Sequence, residues 1–215
     1  QNLMERVKPT WDLDPDLRLY LPLYNMGQGD VFLSQDTYGR TVTRYGPTPT
    51  GQGYWSFDGT DDYLEVATNV FLSNTWTLEM WVYPNAYISN LTTLYSYIPS
   101  GYLQFFIQGL VAQEIIVATD TEGEQVFAGI SVPTGRWSLI QVVSENKTTT
   151  VYVDARPTQT KTVTTPTGAA INRIGWDGGV GRAFNCRMGA IYAYNRVLSA
   201  SDRQALYLSP YAPYG

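Results

Sequence analysis

Residues 57–66 read FDGTDDYLEV. Phe57 on one side and Tyr63-Leu64-Glu65-Val66 on the other have the aromatic and apolar character of strand. Asp58-Gly59 between them is turn chemistry, because glycine accepts positive φ and aspartate caps its own backbone. The stretch therefore predicts a strand, a tight bend and a second strand. Its acids Asp58, Asp61 and Asp62 raise a second reading, since a hard cation such as calcium needs several oxygen ligands, usually with carboxylates among them. Both readings stand on the residues alone, and the turn is the simpler.

Alternation spreads outward from this stretch. Leu17, Leu19, Leu21 and Leu23 alternate with Arg18, Tyr20, Pro22 and Tyr24, the period of a half-buried strand, and Pro22 points to a sheet edge. Trp76-Leu78-Met80-Val82 faces one way and Thr77-Glu79-Trp81-Tyr83 the other, and Leu103-Phe105-Ile107 alternates in the same manner. The runs from Trp137 to Val143 and from Thr149 to Val153 flank the polar turn Glu145-Asn146-Lys147, which predicts a hairpin. Short strands separated by Gly, Pro, Asn and Ser clusters predict an all-β antiparallel sandwich. One short helix is predicted at Ala200 to Tyr207, capped by Ser199 with Asp202 in its first turn, or by Ser201 with Gln204.

Residues 1–16 lack periodicity and read as an N-terminal arm. Residues 17–208 read as one domain, and 209–215 as a Pro- and Tyr-bearing tail. The chain begins at Gln1, and no segment of signal-peptide type opens it.

Composition narrows the chemistry. With no histidine, Ser-His-Asp and Cys-His nucleophiles and the usual zinc and copper sites are excluded. The single cysteine, Cys186, forbids an internal disulfide and reads as a buried core residue. A net charge of −5 without a basic run gives nucleic acid no electrostatic footing. The longest apolar runs fall far below the roughly 18 residues of a membrane-spanning helix.

Five stretches occurring in order carry a family resemblance: FDGTDDYLEV at 57–66, WTLEMWVYP at 76–84, GRWSLIQVV at 135–143, TTVYVDARP at 149–157 and IGWDGGVGRAFNCRMGAIYAYNRVLS at 174–199. Together they resemble the laminin-G-like group of the concanavalin A-like lectin/glucanase superfamily, over about residues 17–208. The resemblance implies a two-sheet antiparallel jelly-roll sandwich. Residues 13–39, LDPDLRLYLPLYNMGQGDVFLSQDTYG, also resemble laminin-G-like proteins of tailed-phage virions.

Such a fold hosts binders, adhesion modules, glucanases and passive structural domains, so fold does not decide function. Glucanases of the group use a Glu-x-Asp-x-x-Glu spacing that places carboxylates on one sheet face. That spacing is missing here and Glu79 stands alone on its run, so the chain is expected not to be an enzyme. Some family members bind calcium with acids from the 58–62 segment and from the last strand. The matching positions here, Met188-Gly189-Ala190-Ile191, lack acids, and calcium is carried as a candidate cofactor at Asp58, Asp61 and Asp62. A second acidic loop, Asp177-Gly178-Gly179, reads as a tight loop.

Sugar binding uses exposed aromatic faces beside polar groups, and Trp81, Trp176, Tyr95 and Tyr97 are the candidates. The expected role is a binding or assembly module on a virion surface or in another extracellular setting, such as a capsid decoration or tail-associated protein. Its partners are expected to be other protein subunits, including copies of itself, contacted through the arms. The alternative is a carbohydrate-binding lectin or adhesion module.

Overall fold

A computed structural model describes residues 14–26, 29–89, 91–96, 103–108, 113–119, 123–164, 170–179 and 181–208. The strands are β1 (Leu17–Pro22), β2 (Val31–Leu33), β3 (Thr41–Tyr45), β4 (Thr48–Pro49), β5 (Trp55–Asp58), β6 (Tyr63–Phe71), β7 (Thr75–Pro84) and β8 (Thr92–Ser96). They continue as β9 (Leu103–Ile107), β10 (Ile115–Thr119), β11 (Gly123–Phe127), β12 (Ser138–Glu145), β13 (Thr148–Val153), β14 (Arg156–Thr162), β15 (Ala170–Ile174) and β16 (Asn185–Tyr194), followed by helix α1 (Ala200–Tyr207).

The strands form two antiparallel sheets, as the alternation predicts. The first runs β14-β13-β12-β7-β16-β5-β4, with β1 also paired to β16. The second runs β11-β10-β9-β8-β15-β6-β3-β2. Strand β16 is long enough to hold two neighbours along one edge: Asn185–Met188 pair with β5, and Ala190–Tyr194 pair with β1. Its other edge pairs with β7.

Between the sheets lies the main core. Leu19, Phe57, Trp76, Leu78, Met80, Phe105 and Ile191 are wholly buried there, and Trp76 meets Phe105 edge to face at 5.7 Å. Each large apolar side chain removed from water in this way stabilises the fold by ~1.5–3 kcal/mol. Cys186 is buried in the same core, as its apolar neighbours predict. Burial, with Asp62 nearby, pushes its thiol well above the ordinary range.

Local chemistry explains the connections. Asn146 and Lys147 take φ of 47° and 73°, so a two-residue turn with both central residues left-handed joins β12 to β13. Ser199 caps α1: its hydroxyl accepts the Asp202 N–H and the Asp202 carboxylate accepts the Ser199 N–H. That reciprocal pair selects Ser199 over Ser201.

Two departures from simple alternation matter for the site. A register shift between Leu17 and Leu19 turns Leu17 out of the main core and into a second cluster with Tyr20, Trp81, Tyr192, Tyr194 and Leu206. That cluster covers the outer face of the first sheet. Alternation predicts which residues share this face, but it gives no sign that α1 would cover it. As a result Thr77, Glu79 and Trp81 are buried although they point away from the main core.

The predicted N-terminal arm ends on the body. Arg196 forms ion pairs with Asp14 at 2.6 Å and with Asp202 at 3.2 Å, and the Asn195 N–H donates to the Asp16 carbonyl. Residues 1–13 and 209–215 lie outside the described residues.

Candidate functional site

The β5–β6 connection builds the site. Phe57 anchors β5 in the core, and Gly59 turns the chain with φ +84°. A side chain at 59 would bring a Cβ within 2.7 Å of the Asn185 Cβ, so only glycine lets the bend lie on β16. Asp58 Oδ1 accepts the Thr60 N–H at 2.7 Å, the local capping that the sequence predicts. Asp62 reaches back across the bend, and its Oδ2 accepts the Asp58 N–H at 2.7 Å.

The turn therefore gathers its acids. One carboxylate oxygen from each of Asp58, Asp61 and Asp62 lies within 4.8 Å of the others. Asp58 and Asp61 are exposed, whereas Asp62 is only 6% exposed. Burial pushes the Asp62 carboxyl up to about 6; the Asp58 N–H opposes that shift, while the charges of Asp58 and Asp61 add to it. A desolvated carboxylate facing two like charges is an arrangement that a divalent cation neutralises. The donor set is all oxygen, which suits calcium.

The last strand meets this turn at a different residue from the one predicted. Asn185 is the register partner of Asp58, and Ala190 pairs with Pro22 instead. Asn185 contributes no carboxylate, and its side-chain oxygen accepts from Asn85 at 3.0 Å. Asp177 stands apart from the acidic turn: it holds the Gly179 N–H at 2.8 Å and pairs with Arg182 at 3.0 Å. It is a loop residue, as its glycines predict.

An aromatic cleft adjoins the acids. Tyr45 on β3 and Tyr63 on β6 are register partners, and their rings stack at 4.5 Å with 14° between planes. Trp176 tilts against Tyr63 at 5.6 Å, and its Nε1 donates to the Gly179 carbonyl at 2.7 Å. Together with Gly46 and Asp61 these rings line a cleft of about 400 Å³. Arg173 lies over the Tyr63 ring at 4.5 Å, beside Glu65.

The predicted aromatic residues divide accordingly. Trp176 lines the cleft. Trp81 is covered, stacking under Tyr207 at 5.9 Å, and it offers no face to a ligand. Tyr95 is likewise buried, its hydroxyl donating to the Glu79 carbonyl at 2.7 Å. Tyr97 lies outside the described residues. Tyr45 and Tyr63 were not singled out by the sequence. Tyr63 directly follows the acids in the sequence, but Tyr45 joins it only through the β3–β6 register.

Glu79 does not line the cleft and is fully buried beneath α1. Gln141 Nε2 donates to its Oε1 at 2.6 Å, and Gln141 also donates to the Arg203 carbonyl at 3.3 Å. Burial pushes the Glu79 carboxyl up to about 8, against the Gln141 hydrogen bond and the nearby Arg203 charge. That shift favours its protonated form, and the group has no exposed surface.

A search of curated protein sequences returns no match. Among solved structures, domain 4 of an extracellular GH43 arabinanase from Geobacillus stearothermophilus, in complex with arabinotriose, superposes with a TM-score of 0.69 at 18% identity. That match covers 89% of this chain and 98% of the other. Trypanosoma rangeli sialidase superposes with a TM-score of 0.67 at 16% identity, over 90% of this chain and 33% of the sialidase. This chain thus spans about a third of the sialidase's length. A botulinum neurotoxin type C structure, whose cell entry depends on two ganglioside molecules, matches with a TM-score of 0.67 at 15% identity. There the match covers 94% of this chain and 53% of the toxin chain.

At these identities the likeness is one of fold. It nonetheless corrects the expectation that the chain is not an enzyme. The fold is carried within sialidase and arabinanase proteins, so the missing Glu-x-Asp-x-x-Glu spacing excludes only that one arrangement of carboxylates. A family model described as the concanavalin A-like lectin/glucanases superfamily matches residues 58–202, from the acidic turn to the first turn of α1. The chain belongs to that superfamily and is a laminin-G-like domain within it.

Proposed function

We propose that this domain binds carbohydrate in the cleft formed by Tyr45, Tyr63 and Trp176, with calcium held by Asp58, Asp61 and Asp62 at its rim. The observation that carries this reading is the convergence of a stacked aromatic set and a three-carboxylate cluster on one cleft, with Asp61 common to both. Aromatic faces take the apolar C–H face of a sugar ring, and a cation takes its hydroxyls. Relatives in fold include one solved with arabinotriose and a toxin whose cell entry depends on gangliosides, which supports a glycan as ligand.

The test is a glycan array probed with and without calcium, repeated with Trp176→Ala and Asp61→Asn. Binding that needs calcium and falls in both variants supports the proposal, and calcium-independent silence counts against it. The virion-assembly role expected from the resemblance of residues 13–39 would use the arms as its contacts, and residues 1–13 and 209–215 of those arms lie outside the described residues.

A further inference from the structure

The outer face of the first sheet carries a second group of rings, remote in kind from the acidic cleft. Ser56 on β5, Arg187 on β16 and Tyr83 on β7 are register partners in one row across the sheet, so all three side chains leave the same face. The Arg187 guanidinium lies 4.6 Å from the centre of the Tyr83 ring and 5.0 Å from that of Tyr54. Trp137 closes the group, meeting Tyr54 edge-on at 5.8 Å and Tyr83 at 5.6 Å. All four residues are half-buried.

Arg187 is unusual among the described arginines. Arg40, Arg44, Arg136, Arg173, Arg182 and Arg196 each have an acid partner. Arg18 donates to the Tyr38 hydroxyl, and Arg203 donates to the Leu198 carbonyl at 2.7 Å. Only Arg156 and Arg187 have neither an ion pair nor a side-chain hydrogen bond among the described residues. Arg156 is exposed on the edge strand β14, whereas Arg187 is held against rings on a central strand. The nearest acid on this face in register is Asp58, two positions along β5 from Ser56; it is occupied with the Thr60 N–H and forms no ion pair with Arg187.

In a chain of net charge −5, a guanidinium that forms no ion pair among the described residues and lies against two rings has its charge available to an anion. Its planar N–H edge matches a carboxylate in bidentate fashion, and the flanking Tyr and Trp faces suit a sugar ring. We propose that Arg187, Tyr54, Tyr83 and Trp137 form a second binding site, for a sugar that carries a carboxylate, of the hexuronate or sialate type. This site uses none of the three proposed calcium ligands, although Asp58 lies two positions along β5 from Ser56 on the same face.

Calorimetric titration of the full chain in EDTA tests the site with oligogalacturonate, sialyllactose and lactose as probes. At least one acidic probe should bind tenfold or more tightly than lactose, with affinity that falls as salt rises. Arg187→Gln should lose that binding at least tenfold while Asp61→Asn keeps it, which separates failure here from failure of the cleft. Arg187→Lys retains charge without the planar fork and should weaken the acidic probe several-fold at unchanged melting temperature, so the test holds even if Arg187→Gln folds poorly. Equal affinity for lactose and both acids, no binding of either acid, or wild-type affinity in the Arg187→Lys variant would overturn the proposal.

Discussion

Gly46 lies so close against Asp62 that a Cβ at position 46 would stand 1.8 Å from Asp62 Oδ1. Its φ of +91° is also one that side chains with a Cβ avoid. Gly46→Ala should therefore displace the buried carboxylate and lower stability by about 1–3 kcal/mol. Denaturant unfolding checks the stability. Calcium titration should show weaker binding in the same variant, because the displaced group is one of the three proposed ligands.

Asp62 should also be visible in the pH dependence of the calcium-free protein. Its carboxyl is raised from 3.8 to about 6 in the fold, so the folded state holds a proton that the unfolded chain has released. Its contribution is fully present below pH 4 and is lost as pH rises through 6, costing on the order of 3 kcal/mol. Asp62→Asn should flatten this part of the stability profile and raise the calcium-free melting temperature at pH 7. Added calcium should do the same for the wild type and nothing for the variant.

Glu79 has the same sign but a higher window. Raised from 4.5 to about 8, its carboxyl favours the fold below pH 4.5, and that advantage disappears as pH rises through 8. Its Oε2 and the Gln141 Oε1 are both buried without a hydrogen-bond partner among the described residues, a mismatch that a proton on Oε2 or an amide at position 79 relieves. Glu79→Gln should accordingly be stabilising at pH 8 and above and neutral at pH 5. Melting curves at these two pH values decide it.

The two tryptophans proposed from sequence should separate cleanly. Trp176→Ala is expected to weaken glycan binding by about 0.5–1.5 kcal/mol, roughly two- to twelvefold. Trp81→Ala should instead cost about 3–5 kcal/mol of stability, since the ring is packed between the first sheet and Tyr207. Paired unfolding and binding measurements on both variants test the assignment.

Much of the fold was legible because sandwich strands repeat with period two. Trp76, Leu78, Met80 and Val82 face the core as their spacing predicts, and Asp58-Gly59 forms the predicted bend. What alternation lacks is any sign of what covers a face. Trp81 shares a face with half-exposed Tyr83, yet α1 buries the first and leaves the second open. The cleft was half legible for a related reason. Its acids and Tyr63 are contiguous in the chain, but Tyr45 arrives through strand pairing across 18 positions. Likewise Asn185, not Gly189 or Ala190, faces Asp58, because β16 gives its first residues to β5 and its last to β1.

The most direct test is calcium-dependent glycan binding by the wild type and by Tyr63→Ala, whose ring touches both Tyr45 and Trp176. Wild-type binding that appears with calcium, disappears with EDTA and is lost in a folded Tyr63→Ala variant is the predicted result. A folded Tyr63→Ala protein that binds the same glycan with wild-type affinity would contradict the placement of the site.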